Sequence, residues 1–394
     1  MTQLPHLLVF SHLRWDFVFQ RPQHLMSRLA SEYRVIFIEE PVHDPAGPPR
    51  VESRRVGPEG RIEVLVPFSP VAAPGFDDAH LPLTLPLLER ELAQREVRDY
   101  LVWLYTPMAL PWIRGMHPRA LVYDCMDELS AFKQAPAQLR QREAALMASA
   151  DLVLCGGPAL YAARHGQHAN LHCLPSAVDA AHFAPPRTDA GHPLAVRAEE
   201  LQGGIARPRL GFFGVIDERM DLPLLAAIAD ARPNWQLLMV GPVVKISERD
   251  LPRRDNLHWL GMQRYELLPH LLAGWDLCLM PFALNDSTRF ISPTKTLEYL
   301  AGGKPVVSTP IHDVIGLYGD VVRIGADAAS FVAACQEVLD EDAASREYWH
   351  AGAAAVVAAS SWDEGAARVR GWLAEASRPA RPDAPVIGHS LRAA

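Results

Sequence analysis

Cysteine is scarce in this 394-residue sequence, which contains five, and neither their number nor their spacing suits cysteine chemistry. The count is odd, the residues are scattered, and no pair has the C-x-x-C spacing of zinc or redox sites. Most of them lie in apolar segments, where a free cysteine behaves as a small hydrophobic residue. The sequence therefore predicts a reduced, cytoplasmic protein without a disulfide framework.

A basic excess and long apolar runs are also missing. Lysine and arginine number 38 against 46 aspartates and glutamates, which gives a net charge of −8 at pH 7. Nucleic-acid-binding domains carry a basic excess, so nucleic acid is not an expected partner. The apolar runs are broken by proline, arginine or aspartate before they reach the roughly 18 residues of a membrane-spanning helix. The N-terminal MTQLPHLLVFSHLRW has neither a basic lead nor a small-residue cleavage site, so no signal peptide is predicted.

Several catalytic motifs are absent as well. The sequence has no G-x-S-x-G nucleophile elbow, no H-E-x-x-H zinc motif and no Walker A phosphate loop. The glycines at 211 and 214 lack the G-x-G-x-x-G spacing of a nicotinamide dinucleotide site. Hydrolases and dehydrogenases of those classes are therefore not expected.

The sequence does contain a regular alternation of apolar strands and helices in two halves. Apolar runs at 7–10 and 34–38 open the first half, and the pattern restarts at 210–215 after a polar interval. Such alternation predicts βαβ units, in which parallel sheets carry helices on both faces. The expected fold class is α/β, with two Rossmann-like parallel-sheet domains that face each other across a cleft. Ligands of such sheets bind outside the carboxyl ends of the strands.

Composition also predicts the domain boundaries. The first domain is expected over 1–184, completed by a C-terminal helix over 362–376, and the second over 209–361. The polar interval 185–208, which carries proline and glycine, is predicted to be the linker. The segment 377–394 is predicted to be a flexible tail, as terminal segments often are.

The segment from Ser292 to Val307, SPTKTLEYLAGGKPVV, carries the strongest chemical signal. A helix is predicted to start near Thr294, and the free N–H groups at a helix start suit an anion. Lys295 in its first turn is unfavourable for the helix dipole but favourable beside a bound phosphate. Glu298, one turn further, is placed to accept hydrogen bonds from two ribose hydroxyls. The alternative is that Lys295 and Glu298 form an exposed i,i+3 ion pair.

This segment, written S-P-x-K-x-x-E-Y-x-A-x-G-K-P-V-V, resembles the nucleotide-diphosphate site of GT-B-fold glycosyltransferases of the retaining group 1, or family 4, type. The resemblance covers residues 5–376. The other matching segments are GFFG at 211–214, YELLP at 265–269, DLCLMPF at 276–282, SWD at 361–363, WDFVFQRPQH at 15–24 and PSAVD at 175–179.

The resemblance implies a role for each matching residue of the donor site. Glu298 would bind the ribose hydroxyls, Lys295 and Arg219 would neutralise the diphosphate, and Gly214 would let the backbone approach it. The loop after Gly261 would hold the base through backbone groups. A UDP- or GDP-sugar is the implied co-substrate, without a separate cofactor. The complete implied donor set is Gly214, Arg219, Gly261, Arg264, Ser292, Thr294, Lys295 and Glu298.

One position departs from the family pattern. The family has two glutamates in an E-x₇-E arrangement, of which the first contacts the donor sugar. Phe290 stands eight residues before Glu298, so that first carboxylate is missing. Asp286, Ser287 and Arg289 are the candidates to replace it.

Acidic residues near the ends of first-half strands are candidates for the acceptor side. Asp127, within YDCMDE, is predicted to orient or deprotonate the attacking hydroxyl, as a catalytic residue beside Lys295 and Arg219. Asp124 is the second candidate; because the two are spaced D-x-x-D rather than D-x-D, no essential metal is predicted. The alternative is that either aspartate caps a helix.

Two residues of the first loop and helix, Asp16 and His24, are further acceptor-side candidates. The alternative for His24 is a packing or surface role within an amphipathic helix.

The sequence thus predicts a glycosyltransferase that moves a sugar from a nucleotide-diphosphate sugar to a hydroxyl of a glycan, lipid-linked or other acceptor, without a metal. Retention at the anomeric centre follows from the resemblance alone. Two alternatives stay open, a non-catalytic GT-B-like subunit that binds a sugar nucleotide or a partner, and a sugar-nucleotide epimerase on the same fold. The expected location is cytoplasmic, with a peripheral contact at the inner membrane face if the acceptor is lipid-linked.

Overall fold

The computed structural model describes residues 4–186, 191–379 and 387, and it confirms an α/β fold with two parallel sheets. The strands are β1 (His6–Ser11), β2 (Arg34–Glu39), β3 (Val42–His43), β4 (Arg50–Val56), β5 (Ile62–Ser69), β6 (Tyr100–Leu104), β7 (Leu121–Cys125), β8 (Leu152–Cys155), β9 (Leu171–Cys173), β10 (Arg209–Phe213), β11 (Gln236–Val240), β12 (Leu257–Trp259), β13 (Leu277–Met280), β14 (Val306–Ser308) and β15 (Val322–Ile324).

The α-helices alternate with these strands. They are α1 (Arg21–Leu29), α2 (Leu81–Gln94), α3 (Leu139–Ser149), α4 (Pro158–Arg164), α5 (Ala180–Phe183), α6 (Pro193–Gln202), α7 (Leu222–Ala231), α8 (Leu268–Ala273), α9 (Lys295–Ala301), α10 (His312–Tyr318), α11 (Ala328–Asp340), α12 (Ala343–Ala358) and α13 (Trp362–Ala376). Short 3₁₀ helices lie at Pro58–Gly60, Asp78–His80, Pro107–Ile113, Leu129–Ala131, Glu248–Asp250 and Tyr265–Leu267.

The first sheet has the strand order β3-β5-β2-β1-β6-β7-β8-β9, and these strands run parallel. Strand β4 joins the outside of β5 in antiparallel pairing. It lies within the 41–60 interval, for which the composition predicts a surface loop or irregular hairpin. Glu52 and Arg55 are exposed at a sheet edge and the other two arginines are partly exposed, so a strand here has the composition of a loop.

The second sheet has six parallel strands in the order β12-β11-β10-β13-β14-β15. Strand β10 lies between β11 and β13, and all five of its residues are buried. Neighbouring strands cover both edges of β10 and helices cover both of its faces. Such a strand is therefore an apolar run without alternating polar residues.

Helices cover both faces of the first sheet, so successive residues of β1 enter different cores. Leu8 and Phe10 lie in one core, while Leu7 and Val9 lie in the other. We call the core with Leu8 and Phe10 the first core. The core on the other face of this sheet, with Leu7 and Val9, also contains one face of α13, through Trp362 among others. The C-terminal helix therefore packs on the first sheet, although it follows the second sheet in the chain.

The predicted linker over 185–208 is wrong in part, because helix α6 lies inside it and packs on the second sheet. Ala198 is in that core, and the Gln202 amide connects two groups there, donating to the Leu271 carbonyl at 3.1 Å and accepting from the Trp275 indole at 3.0 Å. Phe183, which we assigned to the first domain, packs in the same core. In the sequence, α6 is hard to recognise as a helix with a buried face, because its few apolar residues alternate with the polar residues of its exposed face.

The predicted flexible tail over 377–394 lies mostly outside the described residues, and the part that is described contacts the first domain. The Ile387 side chain is in the first core, and its N–H donates to the Val97 carbonyl at 3.1 Å. Arg378 forms an ion pair with Asp151 at 3.0 Å. Among the described residues, no helix is long and apolar enough to cross a membrane.

Candidate functional site

A cavity of about 490 Å³ lies between the two sheets, at the carboxyl ends of their strands. The first domain contributes the 15–21 loop and the residues that follow β7 and β8. The second domain contributes the residues that follow β10 and β11, the 262–266 loop and the segment into α9. The predicted site residues that line it are Asp16, Asp127, Gly214, Arg219, Arg264, Ser292, Thr294, Lys295 and Glu298, whereas His24, Asp124 and Gly261 do not.

Lys295 is the first residue of α9, and its ammonium group has no partner. It is half-buried, and its Nζ atom forms neither a hydrogen bond nor an ion pair with any described residue. Burial lowers the pKa of Lys295, and the nearby Glu298 carboxylate opposes that effect. The alternative of an ion pair with Glu298 is wrong, since no N–O distance within 4.0 Å joins the two side chains. An unpaired cation in a cavity is a site for an anionic ligand.

Two backbone N–H groups beside this ammonium are also free. The N–H groups of Thr294 and Lys295 donate to nothing in the part of the chain that the structure describes. The next two amides, of Thr296 and Leu297, are already bonded to the carbonyls of Pro293 and Thr294. The anion site expected at this helix start therefore reduces to one ammonium and two amides.

Glycines at the ends of β10 and β11 create the space for the Lys295 side chain. Gly214 has a φ of +147°, and a Cβ atom there would lie 1.8 Å from Cε of Lys295. Gly241 has a φ of +148°, and a Cβ atom there would lie 1.8 Å from the Gly214 carbonyl oxygen. The sequence predicted Gly214 for its approach to phosphate, whereas the structure gives it a contact with Lys295. Gly241 was not among the predicted site residues.

The substitution Gly214→Ala tests this contact. The added methyl group forces the Lys295 side chain away, and we expect about a tenfold loss of turnover, since misplacing a charged group by about 1 Å is costly. Steady-state kinetics of the nucleoside diphosphate release that the family resemblance implies measures this loss. Gly316→Ala is the control, because a Cβ there would lie within 4 Å of no described atom outside its own helix backbone and its chain neighbours. Equal turnover of both variants would contradict the contact.

Arg219 enters the cavity in a fixed orientation, held by a residue that the sequence analysis missed. Its Nε and Nη2 atoms donate to the buried Asp217 carboxylate at distances of 2.7–3.1 Å. The Nη1 atom donates to none of the described groups. Asp217 thus neutralises part of the charge of Arg219 and leaves one nitrogen for a ligand. The D-x-R spacing was the available signal.

Glu298 presents a carboxylate that also lacks a partner. It is half-buried, and it accepts no hydrogen bond from any residue that is described. Burial raises the pKa of Glu298 to about 7, although the Lys295 charge acts in the opposite direction. An acceptor-only group in a cavity suits a ligand that carries hydroxyl donors.

The 262–266 loop lines the cavity, and Gly261 directly precedes it. Gly261, with a φ of +65°, accepts a hydrogen bond at its carbonyl from the Gly241 N–H at 2.8 Å. Arg264 is largely exposed and pairs with Glu266 at 3.3 Å. The Tyr265 ring stacks on Phe19 of the first domain, with 4.6 Å between centroids. The sequence analysis assigned no role to that aromatic contact between domains.

Asp127 reaches the cavity from the first domain with an unpartnered carboxylate. Its side chain accepts no hydrogen bond from a described residue and caps no helix, because Glu128 occupies the cap position of the next 3₁₀ turn. Burial raises the pKa of Asp127, and the charge of Arg219 opposes the change. The helix-cap alternative for Asp127 is therefore wrong. No group of three or more His, Cys, Asp or Glu residues that could hold a metal ion occurs among the described residues.

Asp124 is not available to an acceptor, contrary to its prediction. Its fully buried carboxylate accepts three hydrogen bonds from Arg21, at 2.8, 3.0 and 3.1 Å. Arg21 also donates to the Leu174 carbonyl at 2.6 Å. A buried ion pair with this many hydrogen bonds connects α1 to β7 and to the residue after β9, and the carboxylate has no free oxygen for chemistry.

Of the two first-loop candidates, Asp16 lines the cavity and His24 does not. Asp16 lies at the mouth and pairs with Arg54 of β4 at 2.7 Å. The His24 ring is buried and stacks on Trp362 of α13 with 4.9 Å between centroids. Burial lowers the pKa of His24 to about 3, so its ring is neutral. The prediction of His24 on the acceptor side is wrong, and its packing alternative is confirmed.

Phe290, at the position of the missing glutamate, does not line the cavity. Its ring packs against the first core instead, with the Arg289 guanidinium 5.1 Å from its centroid. Asp286, Ser287 and Arg289 also lie outside the cavity lining. None of these candidates supplies the missing carboxylate.

Comparison with known proteins agrees with this arrangement. Residues 207–341 match the family model described as glycosyl transferases group 1. Over 139 residues, 34% of this chain, the sequence is 31% identical to TuaH of Bacillus subtilis (strain 168), a protein named as a teichuronic acid biosynthesis glycosyltransferase. The matched part spans 35% of the length of that relative.

Solved structures resemble the chain over nearly its whole length. A sucrose-phosphate synthase from Thermosynechococcus elongatus has a TM-score of 0.71 at 17% identity, covering 95% of this chain and 99% of its own. A trehalose-6-phosphate structure from E. coli, bound with UDP-2-fluoro glucose, has a TM-score of 0.68 at 14% identity, covering 95% of this chain and 100% of its own. The chain therefore has the predicted GT-B fold, and its residues 207–341 match the group 1 glycosyltransferase model, in agreement with the resemblance given above.

Proposed function

We propose that this protein transfers a sugar from a nucleotide-diphosphate sugar, with UDP or GDP as the nucleotide, to a hydroxyl group of an acceptor. The observation that carries the proposal is the unpaired Lys295 ammonium, which lies in one cavity with two free amides and the unpaired Glu298 carboxylate. A cation and N–H donors suit a diphosphate, and a carboxylate suits ribose hydroxyls. The structure from E. coli that shares this fold is bound with UDP-2-fluoro glucose.

The donor half of the site would act on the leaving group. When the bond between the anomeric carbon and the phosphate oxygen breaks, negative charge develops on the diphosphate. Lys295 Nζ, Arg219 Nη1 and the two free amides would stabilise that charge from fixed positions, which is the largest catalytic term available to such a site. These groups supply the stabilisation without a metal. Thr294 and Ser292 line the same cavity.

The acceptor half would use Asp127. As the new bond forms between the acceptor oxygen and the anomeric carbon, the hydroxyl proton passes to the Asp127 carboxylate or to the departing phosphate. Asp127 suits this role because it faces the donor residues from the other domain and has no partner of its own. Asp16, at the mouth, would contact the more distant part of the acceptor. Retention of anomeric configuration remains an implication of the family resemblance.

The acceptor would be a glycan or a lipid-linked saccharide, made into a surface or secreted polysaccharide or a glycolipid. The name of the Bacillus relative, which refers to teichuronic acid biosynthesis, supports a polysaccharide product. A lipid-linked acceptor would bring the protein to the inner membrane face from the cytoplasm. Because Phe290 replaces the family's sugar-contacting glutamate, a non-catalytic subunit that binds sugar nucleotides is the second candidate.

Incubation with UDP- and GDP-sugars, with and without a panel of saccharide acceptors, tests the proposal. We expect one donor to release its nucleoside diphosphate, faster with acceptor, and equally fast with a chelator present. Binding without release would favour the non-catalytic subunit. Conversion of the sugar without release would identify an epimerase.

A further inference from the structure

A buried aspartate from the second domain contacts the backbone of the first domain close to the donor loop. Asp313 lies on α10 and is only 1% exposed. Its Oδ1 atom accepts a hydrogen bond at 2.9 Å from the N–H of Ala159, in the first turn of α4. Helix α10 belongs to the second domain and α4 to the first, so this hydrogen bond fixes the distance between the domains at one point.

Gly157 makes the close approach of the two domains possible. A Cβ atom on Gly157 would lie 2.2 Å from Oδ2 of Asp313 and 2.6 Å from Cβ of Ser292. Both contacts are shorter than any that a real side chain tolerates, so only glycine fits between these residues. The surface of the first domain here is shaped to receive Asp313 and Ser292 together.

Ser292 connects this contact to the donor site. It lines the cavity three residues before Lys295, and its carbonyl accepts a hydrogen bond at 3.2 Å from the Ser176 hydroxyl, which follows β9. Its own hydroxyl and Oδ2 of Asp313 are both buried, and neither has a hydrogen-bond partner among the described residues. The segment that leads into α9 is thus held between the domains on two sides.

We propose that Asp313 is a positioning residue, which docks the first domain against the donor loop and so sets the distance between Asp127 and the Lys295 end of the cavity. Asp313 does not line the cavity, so it would act through Ala159 and Ser292 rather than on the substrate. The inference rests on the proposed function. It adds that turnover depends on a contact outside the cavity.

Asp313→Ala tests the inference because it should lower turnover without changing the affinity for the nucleotide. The groups proposed to hold the nucleotide all lie on the second domain, so we expect its Kd for the nucleoside diphosphate to stay within about twofold. We expect kcat to fall about tenfold, because the two halves of the site lose their fixed separation. Asp313→Asn retains the Oδ1 acceptor and offers an amide to the Ser292 hydroxyl, so it should restore kcat to within about threefold.

Hydrogen exchange supplies a readout that does not depend on activity. The Ala159 amide should exchange faster in Asp313→Ala than in the wild type, and Asp313→Asn should restore its protection. Asp342→Ala is the matched control, because Asp342 also accepts a backbone N–H, that of Ser345 at 2.7 Å, at the exposed start of α12. It should lower stability without changing kcat or the exchange of Ala159.

Gly157→Ala gives an independent variant, since it disturbs the same contact from the first domain. We expect the same loss of kcat with unchanged nucleotide affinity. The inference is overturned if both variants fold and keep wild-type kcat, or if kcat and nucleotide affinity fall together. A wild-type protein that binds nucleotides but shows no turnover contradicts the proposed function instead, and the exchange of Ala159 still decides whether the contact forms.

Discussion

Replacing Lys295 with methionine is expected to lower kcat about 1,000-fold, the size of effect seen when one group that stabilises developing charge is removed. Methionine keeps the length and the packing of the side chain beside Gly214 but removes the ammonium group. The loss should be largest in kcat, because the negative charge on the diphosphate grows as the glycosidic bond breaks. The rate of nucleoside diphosphate release at saturating donor and acceptor measures it.

Lys304→Met is the matched control for Lys295→Met. Lys304 lies just beyond the other end of α9, where its ammonium donates to the carbonyls of Ala273 at 3.1 Å and Trp275 at 2.8 Å. Its loss should lower the melting temperature while kcat stays within about threefold of the wild type, since these bonds support the fold alone. If Lys295→Met turned over like Lys304→Met, the diphosphate site would lie elsewhere.

Local patterns in the sequence predicted the fold well, because buried parallel strands are short apolar runs and the helices between them are amphipathic. Helix α13 has the bounds of 362–376 predicted for the C-terminal helix, and α9 starts one residue after its predicted start at Thr294. Helix α6 and the position of Ile387 were not predictable. The apolar residues of α6 are few, and Ile387 is a single residue whose partners in the first core are distant in the chain.

In the candidate site, too, residues in strong local patterns were predictable and residues with long-range partners were not. Lys295, Glu298 and Gly214 come from two segments with a strong local pattern, and the structure brings them into one cavity. Asp124 and His24 look equally suited to chemistry in the sequence. Their long-range partners decide their state: Arg21 occupies the Asp124 carboxylate, and Trp362 covers the His24 ring.

Asp127 and Asp217 also show which parts of the site could be predicted from local sequence. Both aspartates follow strands; the sequence analysis considered a helix-cap role for Asp127 and assigned no role to Asp217. Asp127 is left free in the cavity, whereas Asp217 fixes the guanidinium of Arg219. The partner of Asp217 lies within its own D-x-R segment and could be predicted locally, whereas the free state of Asp127 depends on residues that are distant in the chain.

Glu298→Gln is expected to weaken nucleoside diphosphate binding about 100-fold at a pH near 8, since hydrogen bonds to a charged acceptor are the strong ones. In the wild type this affinity should depend on pH. Burial raises the pKa of Glu298 from 4.5 to about 7, so below pH 7 the carboxyl is protonated in the empty site and must lose its proton to accept two hydroxyls. The affinity should then fall up to tenfold for each pH unit below 7.

The phosphates also titrate in this range, and a 2′,3′-dideoxy nucleoside diphosphate removes their contribution. The ratio of its Kd to that of the ribonucleotide should rise with pH, level off above pH 7 in the wild type, and stay flat in Glu298→Gln. Glu347→Gln, on the exposed face of α12, is the control and should match the wild type. A flat ratio in the wild type would mean that Glu298 does not hold the ribose.

The same pKa predicts the opposite effect on stability. Because the folded pKa is raised, the unfolded chain loses the Glu298 proton more easily than the folded one, so this group stabilises the fold fully below pH 4.5. That contribution is lost as the pH rises through 7. Without nucleotide, Glu298→Gln should therefore melt at the same temperature as the wild type near pH 4.5 and at a higher one near pH 8. Thermal denaturation across this range measures the difference. Equal melting temperatures at pH 8 would show that ionisation of Glu298 does not destabilise the fold when the cavity is empty.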